Sequence, residues 1–492
     1  MSIVASVKPA EMGLSGNVTV CSPGSKHNQG DTIEIRCRIS TMSDLSKMRR
    51  CSLNTVLTVF LSVTLCGASA FAKDSREPTA DIPVGTHITR MNWQSYKELM
   101  PNEMQLLFAG DAYWKMPENV DMVVGPTISI PLPARYIDDT KQLSASVTLS
   151  AVPSGGYVPH GYSAGMPFPA FAQSSLSMEP YEIFYNLFYH YTPRLQRNIT
   201  CNYAMDSHGN VTLAERADAV YSELAYLSDE GYPHEVSNSN GSSLVKLFEQ
   251  IEPEQGKYSA NLDIQHTDPT QPDDVYLYLP SNRRALRVSS AYTCAPQTGV
   301  DWTLDDGNLG APTLPQRYKI TYLGTKEIVA LVHMNPEALD SCGTSTGLSP
   351  AYFPQMDRET VPWPKATLGR WELRKAYVIQ MSRLPTFAAG YCYSKRVIYI
   401  DTETFFPLYA ETYDVNGQPY KLMAEFVAPL RVPRTGVALS GNGALETFIV
   451  NFKDRHLTLS TGENPCYDSD CDAKYFDVER YASPDGLAKI QQ

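Results

Sequence analysis

The sequence predicts a mainly β protein with a few helices (α+β), organised around one large curved antiparallel sheet, and three observations point there. Apolar and polar residues alternate along most of the chain beyond Ser243. Tyrosine (30) and proline (35) are abundant among 492 residues, which favours strands, turns and sheet edges. Helical spacing is confined to short stretches, so a helical bundle is excluded. Hydrophobic residues at 43% allow a packed core. The formal charge of −12, from 41 Lys and Arg against 53 Asp and Glu, speaks against a nucleic-acid partner.

The N-terminal region reads as a targeting segment. Lys47-Met-Arg-Arg is followed by an apolar run from Leu53 to Leu65 and then by Ala70-Phe71-Ala72, the order of a secretory signal peptide cut after Ala72. The run falls short of the roughly 20 apolar residues of a membrane span, and Leu65 before Cys66 departs from a lipoprotein motif. Met42 and Met48 are better placed starts, so residues 1–41 read as an over-called extension, 42–72 as the signal peptide and 73–90 as an extended arm.

Two helices are expected next. Trp93, Tyr96, Leu99, Met100, Met104, Leu107 and Phe108 fall at helical spacing, interrupted by Pro101. Ile183, Phe184, Leu187, Phe188 and Tyr191 share one face between Pro180 and Pro193, with Tyr185 and Tyr189 widening it. Thr212-Leu-Ala-Glu215 has capping-box spacing and suggests a third helix to about Leu227. From there strands dominate. Trp371, Leu373, Tyr377, Ile379 and Met381 lie on one parity, while Glu372, Arg374 and Gln380 lie on the other. Tyr420, Leu422, Ala424 and Phe426, then Phe448, Val450 and Phe452, repeat the pattern, and Asp414-Val-Asn-Gly417 reads as a hairpin turn. Such alternation implies one buried and one wet face. An open half-barrel with helices in its concavity, leaving an apolar cleft, follows.

Chemistry-bearing motifs are few. Gly161-Tyr-Ser163-Ala-Gly165 matches the nucleophile elbow of serine hydrolases, but Pro159, Pro167 and Pro169 stand where a buried strand and a helix are needed, so a Gly-rich turn is the better reading. Asp273-Asp274 reads as an exposed turn, and Arg283, Arg284 and Arg287 as a solvated strand edge. There is no phosphate-binding loop, dinucleotide fingerprint or zinc-protease helix, so no cofactor, no metal and no catalysis are expected. Of ten cysteines, six follow the signal peptide, and Cys466 and Cys471 are the first pair expected to join.

Several stretches together resemble a known family: Trp93-Gln-Ser-Tyr-Lys, Gly161-Tyr-Ser-Ala-Gly-Met-Pro-Phe-Pro169, Asn186-Leu-Phe-Tyr-His-Tyr191, Tyr278-Leu-Pro-Ser-Asn-Arg-Arg284, Trp371-Glu-Leu-Arg374 and Lys395-Arg-Val-Ile-Tyr-Ile-Asp401. Their order resembles the bacterial envelope family called domain of unknown function 1329, whose members bear the name outer-membrane lipoprotein-sorting protein and are similar in fold to the LolA/LolB carriers. The resemblance implies a single LolA/LolB-like domain over 91–455, a separate tail over 456–492, and residence in the periplasm. It also implies a lipid or other hydrophobic molecule as ligand, with an efflux-type inner-membrane transporter and an outer-membrane protein as partners. Trp93, Tyr96, Phe168, Phe184, Leu187, Phe188 and Tyr191 are the candidates for lining the hydrophobic cleft. A carrier acting without catalysis is the leading expectation. A structural adaptor with a filled cleft is the alternative, and a serine hydrolase using Ser163 is a distant third.

Overall fold

The computed structural model describes residues 18–23, 35–40 and 82–489, apart from 171–177, 289–292, 298, 307–311, 336–341, 343–351, 354–357, 434–435, 439–444 and 488. The signal-peptide reading over 42–72 and the start of the arm, 73–81, lie outside the described residues. Val18–Pro23 and Ile35–Ser40 pair antiparallel in a unit of their own.

Thirteen strands form the main sheet. The first six are β1 (Leu195–Met205), β2 (Val211–Glu223), β3 (Ser242–Glu252), β4 (Ala260–His266), β5 (Asp274–Leu279) and β6 (Arg284–Arg287). The rest are β7 (Tyr318–Ala330), β8 (Glu372–Arg383), β9 (Lys395–Asp401), β10 (Pro407–Tyr413), β11 (Pro419–Val427), β12 (Leu445–Asn451) and β13 (His456–Tyr467). Their spatial order is 6-5-4-3-2-1-13-12-11-10-9-8-7, antiparallel throughout and not closed. Two meanders thus meet where β1 pairs with β13, and the chain between β6 and β7 passes from one edge of the sheet to the other. The expected turn joins β10 to β11: Gly417 takes φ +76°, its N–H reaches Asp414 O at 2.9 Å, and Asp414 N–H reaches Gln418 O at 2.8 Å.

Among the described residues three longer helices pack against the sheet or beside it, α1 (Asn102–Ala109), α2 (Ala134–Leu143) and α3 (Glu179–Phe188), with two single-turn helices at Val478–Tyr481 and Pro484–Leu487. The first expected helix is two pieces, a 3-10 turn over Trp93–Leu99 and then α1. Met100 is extended because it precedes Pro101. The second is α3, with Pro180 in its first turn.

Four sequence readings are corrected. The stretch 212–227 is not helical: most of it is β2, because Ala217 and Ala219 face one side while Val220 and the chain partners of β1 and β3 claim the other. The capping-box spacing is present, but non-local pairing overrides it. Residues 456–467 are not tail but β13, in the middle of the sheet, and the chain beyond packs Cys471, Tyr475, Ala482 and Leu487 on its outer face. Within the arm, His87–Thr89 pairs with Asp121–Val123. Finally, the parity expected to be wet in β8 is buried. Arg374, 3% exposed, donates through Nε to Asp401 at 2.7 Å and through Nη2 to Glu403 at 2.9 Å, and Glu372 holds His333 Nδ1 at 2.6 Å. Charge satisfied in this way can be buried.

The faces of the sheet are therefore unequal. In β8–β12 both are apolar. Val378, Val397, Tyr399, Leu422 and Phe448 look outward to the core that includes α1, while Ile379, Ile398, Ile400, Met423 and Ile449 look inward to α3. In β2–β4 the outward side chains Val220, Val245, Leu247, Leu262 and Ile264 are apolar and meet the C-terminal segment. The inward ones are largely polar.

Candidate ligand-binding site

Cross-strand register places Glu425, Thr447, Ser460, Asn202 and Glu215 side by side on β11, β12, β13, β1 and β2. Residues directly opposite in an antiparallel ladder share a face, so these five form one polar row. Asn198 and Thr200 on β1, Tyr221 and Glu223 on β2, Lys246 and Phe248 on β3, and Asn261, Asp263 and Gln265 on β4 continue the floor. Above it lies a cavity of about 240 Å³, roofed by Leu187, Phe188, Tyr189 and His190 at the end of α3 and by the strap between β6 and β7, which contributes Gln297, Val300, Trp302, Thr303 and Leu304.

The strap is fastened by charge. Asp305 receives Arg396 Nη2 at 2.7 Å, Arg383 Nη2 at 3.1 Å and the Tyr318 hydroxyl at 3.0 Å. Asp306 receives Lys421 Nζ at 3.0 Å and the Tyr393 hydroxyl at 2.8 Å. Asp301 receives Asn451 Nδ2 at 2.8 Å and the Thr458 hydroxyl at 2.7 Å, and it meets His456 Nδ1 at 2.7 Å. Burial pushes the Asp306 carboxyl up, but Lys421 and Arg396 together hold it below its ordinary value. The hydrogen bond to Asp301 raises the His456 imidazole. A disulfide from Cys294 to Cys392 ties the same strap to the loop before β9.

Titratable groups of the floor are perturbed in the direction burial dictates. Burial raises Glu215, opposed by the hydrogen bond from Asn202 Nδ2 at 3.0 Å. Burial takes Glu223 up to about 7 although the Thr192 hydroxyl donates to it at 2.7 Å and Lys246 attracts it. Asp263 is raised by burial against the attraction of Lys246, its cross-strand partner. His190 Nδ1 stands 2.6 Å from the carbonyl of Leu187, which can only accept, so Nδ1 carries the hydrogen and burial keeps the ring neutral.

The sequence candidates scatter over this frame. Leu187 and Phe188 line the cavity. Phe184, wholly buried, packs between α3 and the inner face, and Phe168 lies beneath the same helix, where its N–H and C=O bond Asn186 at 2.9 and 2.8 Å. Tyr191 lines a smaller adjoining pocket of about 50 Å³ and donates to Asp229 at 2.7 Å. Trp93 and Tyr96 pack on the outer-face core, on the other side of the sheet, so they do not belong to this cavity. The expected apolar cleft is instead an amphipathic one. Sequence reading missed Tyr189, Tyr221, Tyr226, Phe248 and Trp302 as well as the polar row. Alternation of Asn198, Thr200 and Asn202 with Ile199, Cys201 and Tyr203 was the available signal.

The Gly-x-Ser-x-Gly segment is a turn. Gly161 and Gly165 take φ of +76° and +75°, and a Cβ on Gly165 would come within 2.5 Å of the Thr140 backbone in α2. Met166 N–H bonds the Thr140 hydroxyl at 2.7 Å, so the segment clasps α2. Arg287 of the edge strand pairs with Asp274, and Asp273 is half-buried, not exposed, with its carboxyl raised well above the ordinary range by burial. Cysteine pairs join Cys466 to Cys471, with Cα atoms 5.1 Å apart, and Cys201 to Cys342.

Comparison with known proteins gives a family model described as Protein of unknown function (DUF1329), which matches residues 87–485. No curated protein matches. Among solved structures, a DUF1329 family protein from Desulfovibrio piger is similar at 13% identity and TM-score 0.42, covering 63% of this chain and 100% of its own. A putative outer membrane lipoprotein-sorting protein domain from Vibrio parahaemolyticus is similar at 14% identity and TM-score 0.37, covering 58% and 90%. A LolA superfamily protein from Nitrosomonas europaea is similar at 11% identity and TM-score 0.33, covering 62% and 98%.

Proposed function

The chain belongs to the DUF1329 family, whose function is unknown, and we propose from its own site that it is a periplasmic binding protein that carries a lipid-like or other amphipathic molecule without catalysis. One observation carries the reading: the cavity between α3, the strap and the inner face of the sheet is formed without a ligand and has aromatic walls at Phe188, Tyr189, Tyr221, Phe248 and Trp302. Concave sites of this kind are the usual seats of small molecules. A structural adaptor would close the same space with its own side chains. Three disulfides among the described residues support export, since such bonds persist in oxidising compartments.

Native mass spectrometry of protein purified without detergent tests the reading, together with titration by a neutral naphthyl fluorophore. Co-purifying small molecules, or fluorophore binding weakened by Phe188→Ala, is the expected result. Protein that is free of bound molecules and does not take up the fluorophore would turn the choice toward the adaptor.

A further inference from the structure

The cavity is rich in hydrogen-bond acceptors. Its lining carries four carboxyl side chains, Glu215, Glu223, Asp263 and Glu425, against a single lysine, Lys246. Asn202 is only 7% exposed; it gives Nδ2 to Glu215 and leaves Oδ1 without a hydrogen-bond partner. Asp263 Oδ1 is likewise unpartnered, and so is His190 Nε2, the bare nitrogen of a ring whose other nitrogen already serves Leu187. Asn261 Oδ1 makes a fourth such acceptor, and against these four stands one unpartnered donor, Gln265 Nε2. Buried acceptors without donors are costly, and buried carboxylates in excess of cations are costlier. The faces of Tyr189, Tyr221, Tyr226, Phe248 and Trp302 bound the same space, and an aromatic face attracts a cation.

We propose that the ligand of this cavity is an amphipathic amine: a protonated amino or guanidino group with N–H donors, joined to an apolar portion. The cationic end takes the donor-poor floor at Glu215 and Asn202, neighbours across the β1–β2 ladder. The apolar end lies against the aromatic rings and Phe188. This inference rests on the binding reading above and specifies its ligand. A cation seated there would lower the Glu215 carboxyl that burial raises.

Three probes with one chain length separate the cases: octylamine, octanol and octanoate. Each is titrated calorimetrically into the full chain at pH 8 in about 0.15 M salt, where loose attraction to the acidic surface is screened. Octylammonium should bind about tenfold tighter than octanol, with octanoate weakest. Glu215→Gln should remove most of that preference while leaving octanol affinity alone, and Glu254→Gln at the exposed surface should change neither. Octanol or octanoate binding as tightly as octylammonium, or a preference that survives Glu215→Gln, overturns the inference but leaves the binding reading standing. Failure of all three probes overturns the binding reading itself.

Discussion

Strands β8–β11 bury apolar side chains on both faces, whereas β2–β4 bury them outward and turn Glu215, Lys246, Asn261 and Asp263 inward. The first half is filled by α1 on one side and α3 on the other, so it behaves as scaffold. In the second half only the outer face is filled, by the C-terminal segment, and the inner face keeps an open volume. A sheet that alternates chemistry in this way separates the cost of holding the fold from the chemistry of holding a ligand. The polar floor can be altered without emptying the core, and the core can be weakened without touching the floor.

The largest effects should fall on the scaffold half and its strap. Phe184→Ala empties a wholly buried site and should cost about 3–5 kcal/mol in urea unfolding. Arg396→Ala strips the buried Asp305 of a partner and should cost a similar 3–5 kcal/mol. If either variant unfolds like wild type, the scaffold half is not where stability resides. On the cavity side, Phe188→Ala removes a half-buried ring and should cost only about 1–2 kcal/mol, because one flank of the ring faces open space. Its fluorophore affinity should drop more than its stability.

Acidity sharpens the comparison further. The Glu223 pKa of about 7 in the folded chain lies above that of an unfolded glutamate. The folded state therefore holds the extra proton between about pH 4 and pH 7, and stability falls as pH rises through that window. Comparing chemical denaturation of wild type and Glu223→Gln across it should show the variant losing part of the slope, on the order of 1–2 kcal/mol. The smallest expected effect is Ser163→Ala, within about 0.5 kcal/mol and without change in probe binding, as suits a turn residue. A loss of any hydrolytic activity in that variant would revive the enzyme reading.

Much of the sheet was legible because its signal is local. Alternation in β8, β11 and β12, the Asp414–Gly417 turn and the aromatic face of α3 with its leading Pro180 all depend on neighbours a few residues apart. The covering of each face was not legible. Whether Asn202 or Cys201 looks into the cavity depends on α3, the strap and the C-terminal segment, all distant in sequence. For the same reason Trp93 and Phe184, alike as aromatic residues on amphipathic stretches, end on opposite faces. The strap aspartates, Asp301, Asp305 and Asp306, read as loop polarity until Arg396, Lys421 and His456 meet them. The tail over 456–492 was read from where the resemblance ends; the chain there includes β13, whose ladder accommodates Gly462 and Pro465 with a register shift.

The meeting of β1 with β13 sets a schedule for folding. Within each meander successive strands are close in sequence, so hairpins can form early, but the joining ladder pairs residues 252 to 271 positions apart, from Met205 with Leu457 to Gln196 with Tyr467. Until that ladder closes, β1 and β12 each present a free edge of backbone donors and acceptors, and β1 carries the half of the cavity floor that depends on its neighbours. Such edges invite pairing with other chains. A chain interrupted before residue 456 would hold twelve of the thirteen strands and still expose two sticky edges at its centre. Quality control of this protein therefore rests on its last strand: assembly is completed at the middle of the sheet, by the segment that arrives late.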